Sequence, residues 1–134
     1  VIVLDASAIL AVLLIEPERE MMLAALEAAG GGVISPVNWW EVTVRARALR
    51  GDRGLQQVTD LLQTMRVHIS PTDEAQTRAA FNAHVRFGRG TAAALNLGDC
   101  FAYALAKQEG DGLLFKGEDF PKTDVRSAIP PTGR

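Results

Sequence analysis

Four short apolar runs punctuate this chain: Val1-Ile2-Val3-Leu4, Val33-Ile34, Val67-His68-Ile69 and Gly112-Leu113-Leu114-Phe115. Between them the apolar residues recur at helical spacing. Val1 to Leu4, β-branched and apolar, suits a strand buried on both faces, and the other runs read as short strands. The intervening stretches predict helices with readable ends. The pattern turns helical after Asp5 and holds through about Leu14. Pro17, with Glu16, Glu18 and Glu20 nearby, opens a second helix, because Pro and acids suit a first turn; Gly30-Gly31-Gly32 stops it. Val37 to Arg50 forms a third helix closed by Gly51, and Leu55 to Met65 a fourth. Asp73 to Phe87 and Asp99 to Glu109 follow. From Lys116 onward the chain reads as loop, with a short strand near Val125 and an end at Pro130-Pro131. Strands alternating with helices predict an α/β domain around a mainly parallel sheet. With no internal repeat and no linker, residues 1–134 read as a single domain.

In such folds ligands bind beyond the carboxyl ends of the strands. Asp5 stands at the first such end, between an apolar strand and a helix. As a helix N-cap it needs no further role; as a carboxylate at a strand end it also suits a metal ligand. Glu41 lies in Val37-Asn38-Trp39-Trp40-Glu41-Val42-Thr43-Val44. Helical spacing groups it with Val37, Trp40, Val44 and Ala48, a stripe expected to face the core or a pocket wall. A carboxylate there costs several kcal/mol unless it is paired or bound to a cation. A pair with Arg45 one turn on is the simpler reading, but it suits an exposed face better than an apolar one. Asp99 opens the apolar helix Cys100-Phe101-Ala102-Tyr103-Ala104-Leu105-Ala106, where the helix dipole favours an acid. After the last strand come Glu118, Asp119 and Asp124. Carboxylates crowded together repel and take up protons unless a cation intervenes. An all-oxygen donor set suits Mg²⁺ or Mn²⁺.

Composition narrows the alternatives. The 14 Lys+Arg residues against 16 Asp+Glu give a net charge of −2, which excludes a protein that coats nucleic acid by bulk charge. Hydrophobic residues make up 48% of the chain, which excludes intrinsic disorder. The lone Cys100 excludes a disulfide framework and a multi-cysteine zinc site, and it points to a reducing cytoplasm. The opening VIVLDASAILAVLLI is not a signal peptide, because it lacks a basic leader and contains Asp5; it is also too short to cross a membrane. A start at Val1 is expected where an initiator Met has been removed or lies outside the sequence.

Asp5-Ala-Ser-Ala after the first strand, Glu41 after Ile34-Ser35, Asn96-Leu97-Gly98-Asp99-Cys100-Phe101-Ala102-Tyr103-Ala104-Leu105-Ala106-Lys107, and Leu114-Phe115-Lys116-Gly117-Glu118-Asp119-Phe120 together resemble a PIN-domain ribonuclease. The likeness is nearest to VapC toxins of bacterial type II toxin–antitoxin systems and covers essentially the whole chain. It implies a three-layer fold and a Mg²⁺-dependent endoribonuclease, with Mn²⁺ a possible substitute. It also implies a homodimer held inactive by a small antitoxin. Asp5, Glu41 and Asp99 match three of the family's acidic catalytic and metal-binding positions, and Ser7 matches its small hydroxyl residue. Many PIN domains carry a Thr and, two residues on, an Asp at the last strand end; here Phe115 and Gly117 stand there. Asp119 is then the choice for the fourth acid, with Glu118 and Asp124 as alternatives.

On this reading the acids hold metal, a water attacks the RNA phosphorus in line, and no His or Cys nucleophile is needed. His68 and His84 are expected to be structural or exposed, and Cys100 a small core residue. Arg45, Arg47, Arg50 and Arg53 at one helix end, and Arg86 and Arg89 around Phe87, are candidates to meet phosphate. Trp39 and Trp40 are expected to be core or interface anchors. Met21, Met22, Leu23 and Leu26 form an apolar stripe open to the core, a dimer contact or an antitoxin groove. Two other classes stay in view. An aspartyl phosphatase also places an Asp after its first strand, but it needs a second Asp two residues on, where this chain has Ser7. The other is a binding module that keeps the acidic pocket without turnover.

Overall fold

The computed structural model describes residues 1–129; the Pro130-Pro131 ending lies outside the described residues. Strands β1 (Ile2–Leu4), β2 (Gly32–Ile34), β3 (Val67–Ile69) and β4 (Leu113–Leu114) form one sheet in the order β3-β2-β1-β4, and every pairing is parallel. Helices α1 (Ala6–Leu13), α2 (Arg19–Ala29), α3 (Pro36–Thr64), α4 (Glu74–Phe87) and α5 (Leu97–Glu109) supply the crossovers.

The pleat explains the layering. Ile2, Leu4 and Leu114 point to one face and pack with Ile9, Val42 and Val58 of α1 and α3. Val3 and Leu113 point to the other and pack with α4 and α5 through Ala80, Ala83, Ala102 and Leu105. Strands β1 and β4 are covered on both faces and are apolar at every position, whereas on the edge strand β3 only Val67 is buried and His68 and Ile69 are exposed. The result is the expected three-layer α/β arrangement. No described helix is long and apolar enough to cross a membrane.

The helices depart from expectation in instructive places. Residues 36–64 run as one span, but Gly51 at φ 61° and ψ −148° is not helical. The break predicted at Gly51 is therefore a sharp kink rather than a loop. Helix α5 starts at Leu97, two residues before Asp99, because Asn96 caps it. The short strand expected near Val125 reduces to one parallel bridge between Leu113 and Ser127.

The face of α3 expected to be buried is corrected by one residue. Asn38, Val42 and Ala46 line the core, whereas Trp40 (61% exposed) and Val44 face solvent and Ala48 is exposed too. Trp39 is also on the exposed side, so neither tryptophan is a core anchor. In α2, Met22 and Leu26 are buried and Met21 is exposed. His68 and His84 are exposed and Cys100 is buried, as expected.

Candidate active site

Parallel strands bring their carboxyl ends to one edge. The chain runs β1, β2, β3 in one direction and then returns to place β4 on the other side of β1, so the topological switch lies between β1 and β4. Asp5 follows β1 there, and its N–H donates to the Leu114 carbonyl of β4 at 2.9 Å. Ser35 follows β2 and caps α3, which places Glu41 in the second turn of that helix.

Asp5 is only 5% exposed. It caps α1, and its Oδ2 accepts the Ser7 N–H at 3.1 Å and the Ser7 hydroxyl at 2.6 Å. The same hydroxyl accepts the Lys116 N–H at 2.9 Å. Ser7 thus bridges the β4 exit loop to the Asp5 carboxylate. Burial pushes the Asp5 carboxyl above its usual range against these bonds, and the charge of Glu41 pushes the same way. The N-cap geometry fixes this carboxylate at the carboxyl edge of the sheet.

Glu41 is half-buried. Its Oε1 accepts the Asn38 side-chain amide at 2.9 Å. Partial burial raises its carboxyl, the Asn38 bond opposes this, and the charge of Asp99 raises it further. The alternative pair with Arg45 does not form among the described residues. Instead Glu41 lies against Gly98, where a side-chain Cβ would collide with its carboxylate.

Asp99 completes a capping box: its Oδ2 accepts the Asn96 N–H at 3.0 Å while its own N–H donates to Asn96 Oδ1 at 2.8 Å. Its carboxyl is pushed up to about 6, first by burial and then by the charges of Asp5 and Asp119, despite the Asn96 bond. Two acids beyond strand ends, Asp5 and Asp119, one on α3, Glu41, and one at the start of α5, Asp99, therefore share one electrostatic neighbourhood. Asp119 sits at the head of a 3₁₀ turn (Phe120–Lys122) anchored by buried Phe120.

Asp124 belongs elsewhere. It accepts the Tyr103 hydroxyl, and the Lys107 ammonium (3.3 Å) and Arg86 guanidinium (3.6 Å) pair with it. The Tyr103 bond above all, with help from these cations, holds its carboxyl below the usual range. Glu118 is exposed on the loop. Among the described residues no three His, Cys, Asp or Glu side chains are grouped so as to hold one metal ion in the present arrangement.

Two residues of this site did not stand out in the sequence. Asn38 is wholly buried and joins Ser35, Glu41 and Gly98. Gly98 gives Glu41 its room. The available signal for Asn38 was a polar residue one position off the expected stripe; for Gly98 it was a glycine inside an otherwise good helix.

The comparisons bear on the fold and the family. A family model described as the PIN domain matches residues 2–126. Ribonuclease VapC30 of Mycobacterium tuberculosis is 38% identical over 130 residues, covering 96% of this chain and 99% of that protein. Ribonuclease VapC of Mycolicibacterium smegmatis is 38% identical over 124 residues, covering 92% and 96%. Among solved structures, the M. tuberculosis VapC20 toxin, titled as cleaving the sarcin-ricin loop, superposes with a TM-score of 0.75 at 15% identity, covering 97% of this chain and all of that one. That likeness shows the fold. The chain belongs to the PIN-domain family, and within it to the proteins that group with the VapC ribonucleases.

Proposed function

We propose that the protein is a metal-dependent endoribonuclease toxin of the VapC kind, acting in the cytoplasm and inhibited by a cognate antitoxin. The observation that carries the metal is the gathering of Asp5, Glu41 and Asp99, with the charge of Asp119 bearing on Asp99, in which burial first and like charge second push the first three carboxyls up. Such a cluster gains most from a cation. The donors are all oxygen, which suits Mg²⁺ or Mn²⁺. Because no three of the described carboxylates are grouped around one point, Asp5 and Asp99 would hold the ion with water filling the remaining positions, a habit of Mg²⁺. Glu41 and Asp119 complete the anionic wall. A bound ion of this type supplies activation of water and neutralisation of charge on the scissile phosphodiester.

The residues of the chain do the positioning. Ser7 holds Asp5 by its hydroxyl and N–H, and the Asn96 cap holds Asp99. The exposed Arg45, Arg47 and Arg53 on α3 are free of ion pairs among the described residues and are the candidates to meet RNA phosphates. Arg86 is committed to Asp124 and stacks on Phe87, so it is a poorer candidate. A homodimer and an antitoxin helix are the partners this reading carries.

The test is cleavage of structured and single-stranded RNA by wild type and Asp5→Asn in Mg²⁺ and in EDTA. Expected is cleavage only by wild type with Mg²⁺. Cleavage in EDTA, or full activity in folded Asp5→Asn, would overturn the mechanism. Co-purification with a small protein that suppresses cleavage tests the toxin role.

A further inference from the structure

Asn38 is a fully buried polar side chain in an interior that is otherwise almost wholly apolar. Its Oδ1 accepts the Ser35 hydroxyl at 2.6 Å. Its two amide protons go to two different helices: one to Glu41 Oε1 at 2.9 Å, the other to the Gly98 carbonyl at 3.0 Å. Among the described residues this is the one side-chain hydrogen bond between α3 and α5. Its end on α5 is the residue immediately before Asp99.

Glu41 has a long side chain and is only half-buried, and Asp99 repels it. Left alone it would swing toward water, where its charge is better solvated. A neutral donor fixed at its base opposes that motion. Packing alone does not account for an amide here, since an apolar side chain of similar volume would fill the space without the cost of burying polar atoms.

We propose that Asn38 is a positioning residue, which fixes the Glu41 carboxylate against the first turn of α5 and so sets its placement relative to Asp99. This rests on the nuclease reading of the site. Asn38 touches neither RNA nor metal; it acts through Glu41.

The test uses Mn²⁺ alone as probe, with binding read by electron paramagnetic resonance, beside RNA cleavage kinetics. Wild type, Asn38→Ala, Asn38→Asp, Glu41→Gln and the Asn38→Ala/Glu41→Gln double variant are compared. Loss of a residue that orients part of a metal site costs about 10–100-fold in metal affinity or activity. Asn38→Ala is expected to weaken Mn²⁺ binding and lower kcat by at least about tenfold, with the KM for RNA unchanged. Added to Glu41→Gln, it is expected to change either quantity by less than about twofold, because the charge that Asn38 positions is already gone. Asn38→Asp keeps the shape but loses the paired donors, and is expected to be as impaired as Asn38→Ala. Folded variants with wild-type Mn²⁺ affinity and kcat would overturn the proposal, as would full additivity with Glu41→Gln or a wild type that binds no Mn²⁺. If neither Asn38 variant folds, the Asn38 side-chain amide resonance is compared between wild type and Glu41→Gln. A clear shift supports the bond to Glu41, and an unmoved resonance overturns it. A wild type that binds Mn²⁺ but cleaves no RNA would sink the nuclease reading, while the affinities still decide the role of Asn38.

Discussion

The carboxylate of Glu41 occupies the space that a side chain at position 98 would need. Gly98 is buried in the first turn of α5, and no left-handed backbone angle requires a glycine there. Alanine would favour the helix by up to about 1 kcal/mol, so the glycine answers to space rather than to backbone freedom. Gly98→Ala is therefore expected to leave the protein folded while pushing Glu41 off its Asn38 partner or displacing the start of α5. RNA cleavage should fall by about tenfold or more, given how sharply catalysis depends on placement. Circular dichroism melts beside initial rates check this; a rate within about twofold of wild type would show that the Glu41 position is immaterial.

The raised carboxyls of Asp5, Glu41 and Asp99 make a second prediction, with a definite sign. Each holds its proton more tightly in the folded state than in the unfolded chain. Between the unfolded value and the folded one the native state binds more protons, so stability falls as pH rises. For Asp99 that window runs from 3.8 to about 6. In EDTA the melting temperature should decline as pH is raised through this window, and millimolar Mg²⁺ should recover much of the loss. A ligand at a hundred times its Kd adds about 2.7 kcal/mol. Asp5→Asn should raise the melting temperature in EDTA and blunt the response to Mg²⁺. A metal-free melting temperature that climbs across the same window would contradict the burial of these acids.

The strand-end acids were legible because their neighbours announced them. Asp5 follows three residues that must be buried, and Asp99 heads a helix apolar enough to be central. The orientation of α3 was not. Trp39, Trp40 and Val44 weigh heavily in any apolar stripe, yet Trp40 and Val44 face solvent, and polar Asn38 points inward. The rotation is one residue, about 100° on a helix. What tips it is a partner 60 residues away: buried, Asn38 can satisfy its amide on the Gly98 carbonyl. A contact of that separation leaves no trace in local periodicity. The choice of Asp119 leaves Glu118 and Asp124 as alternatives for a similar reason, since it depends on which way a short 3₁₀ turn faces.

That last choice is open to experiment. Asp124 joins Tyr103, Lys107 and Arg86, tying the C-terminal segment to α4 and α5. Tyr103→Phe and Asp124→Asn should each cost about 1 kcal/mol, below the roughly 1.5–3 kcal/mol of a bond to a charged group because Asp124 is half-exposed. Cleavage per folded molecule should stay within about twofold, as for substitutions remote from the chemistry. Asp119→Asn should do the reverse, lowering cleavage by about tenfold with little change in melting, while Glu118→Gln should alter neither. Matched denaturant curves and single-turnover rates separate the two patterns.

Ser7 joins two loops through one oxygen. Its hydroxyl donates to Asp5 and accepts the main-chain N–H of Lys116, so it ties the exit of β4 to the acid at the exit of β1. Removing it leaves a half-buried N–H without a partner and Asp5 with one donor fewer. Ser7→Ala should cost about 1–3 kcal/mol of stability, the penalty for an unsatisfied buried group. The looser Asp5 should also bind Mn²⁺ more weakly, by about tenfold or more. Ser7→Thr keeps the oxygen, and in the first turn of a helix a β-branched side chain is tolerated. It should therefore restore most of both properties. Urea titrations and Mn²⁺ binding on the three proteins provide the check. If Ser7→Ala matched wild type in Mn²⁺ affinity, the hydroxyl would be a helix-cap accessory with no bearing on the metal pocket.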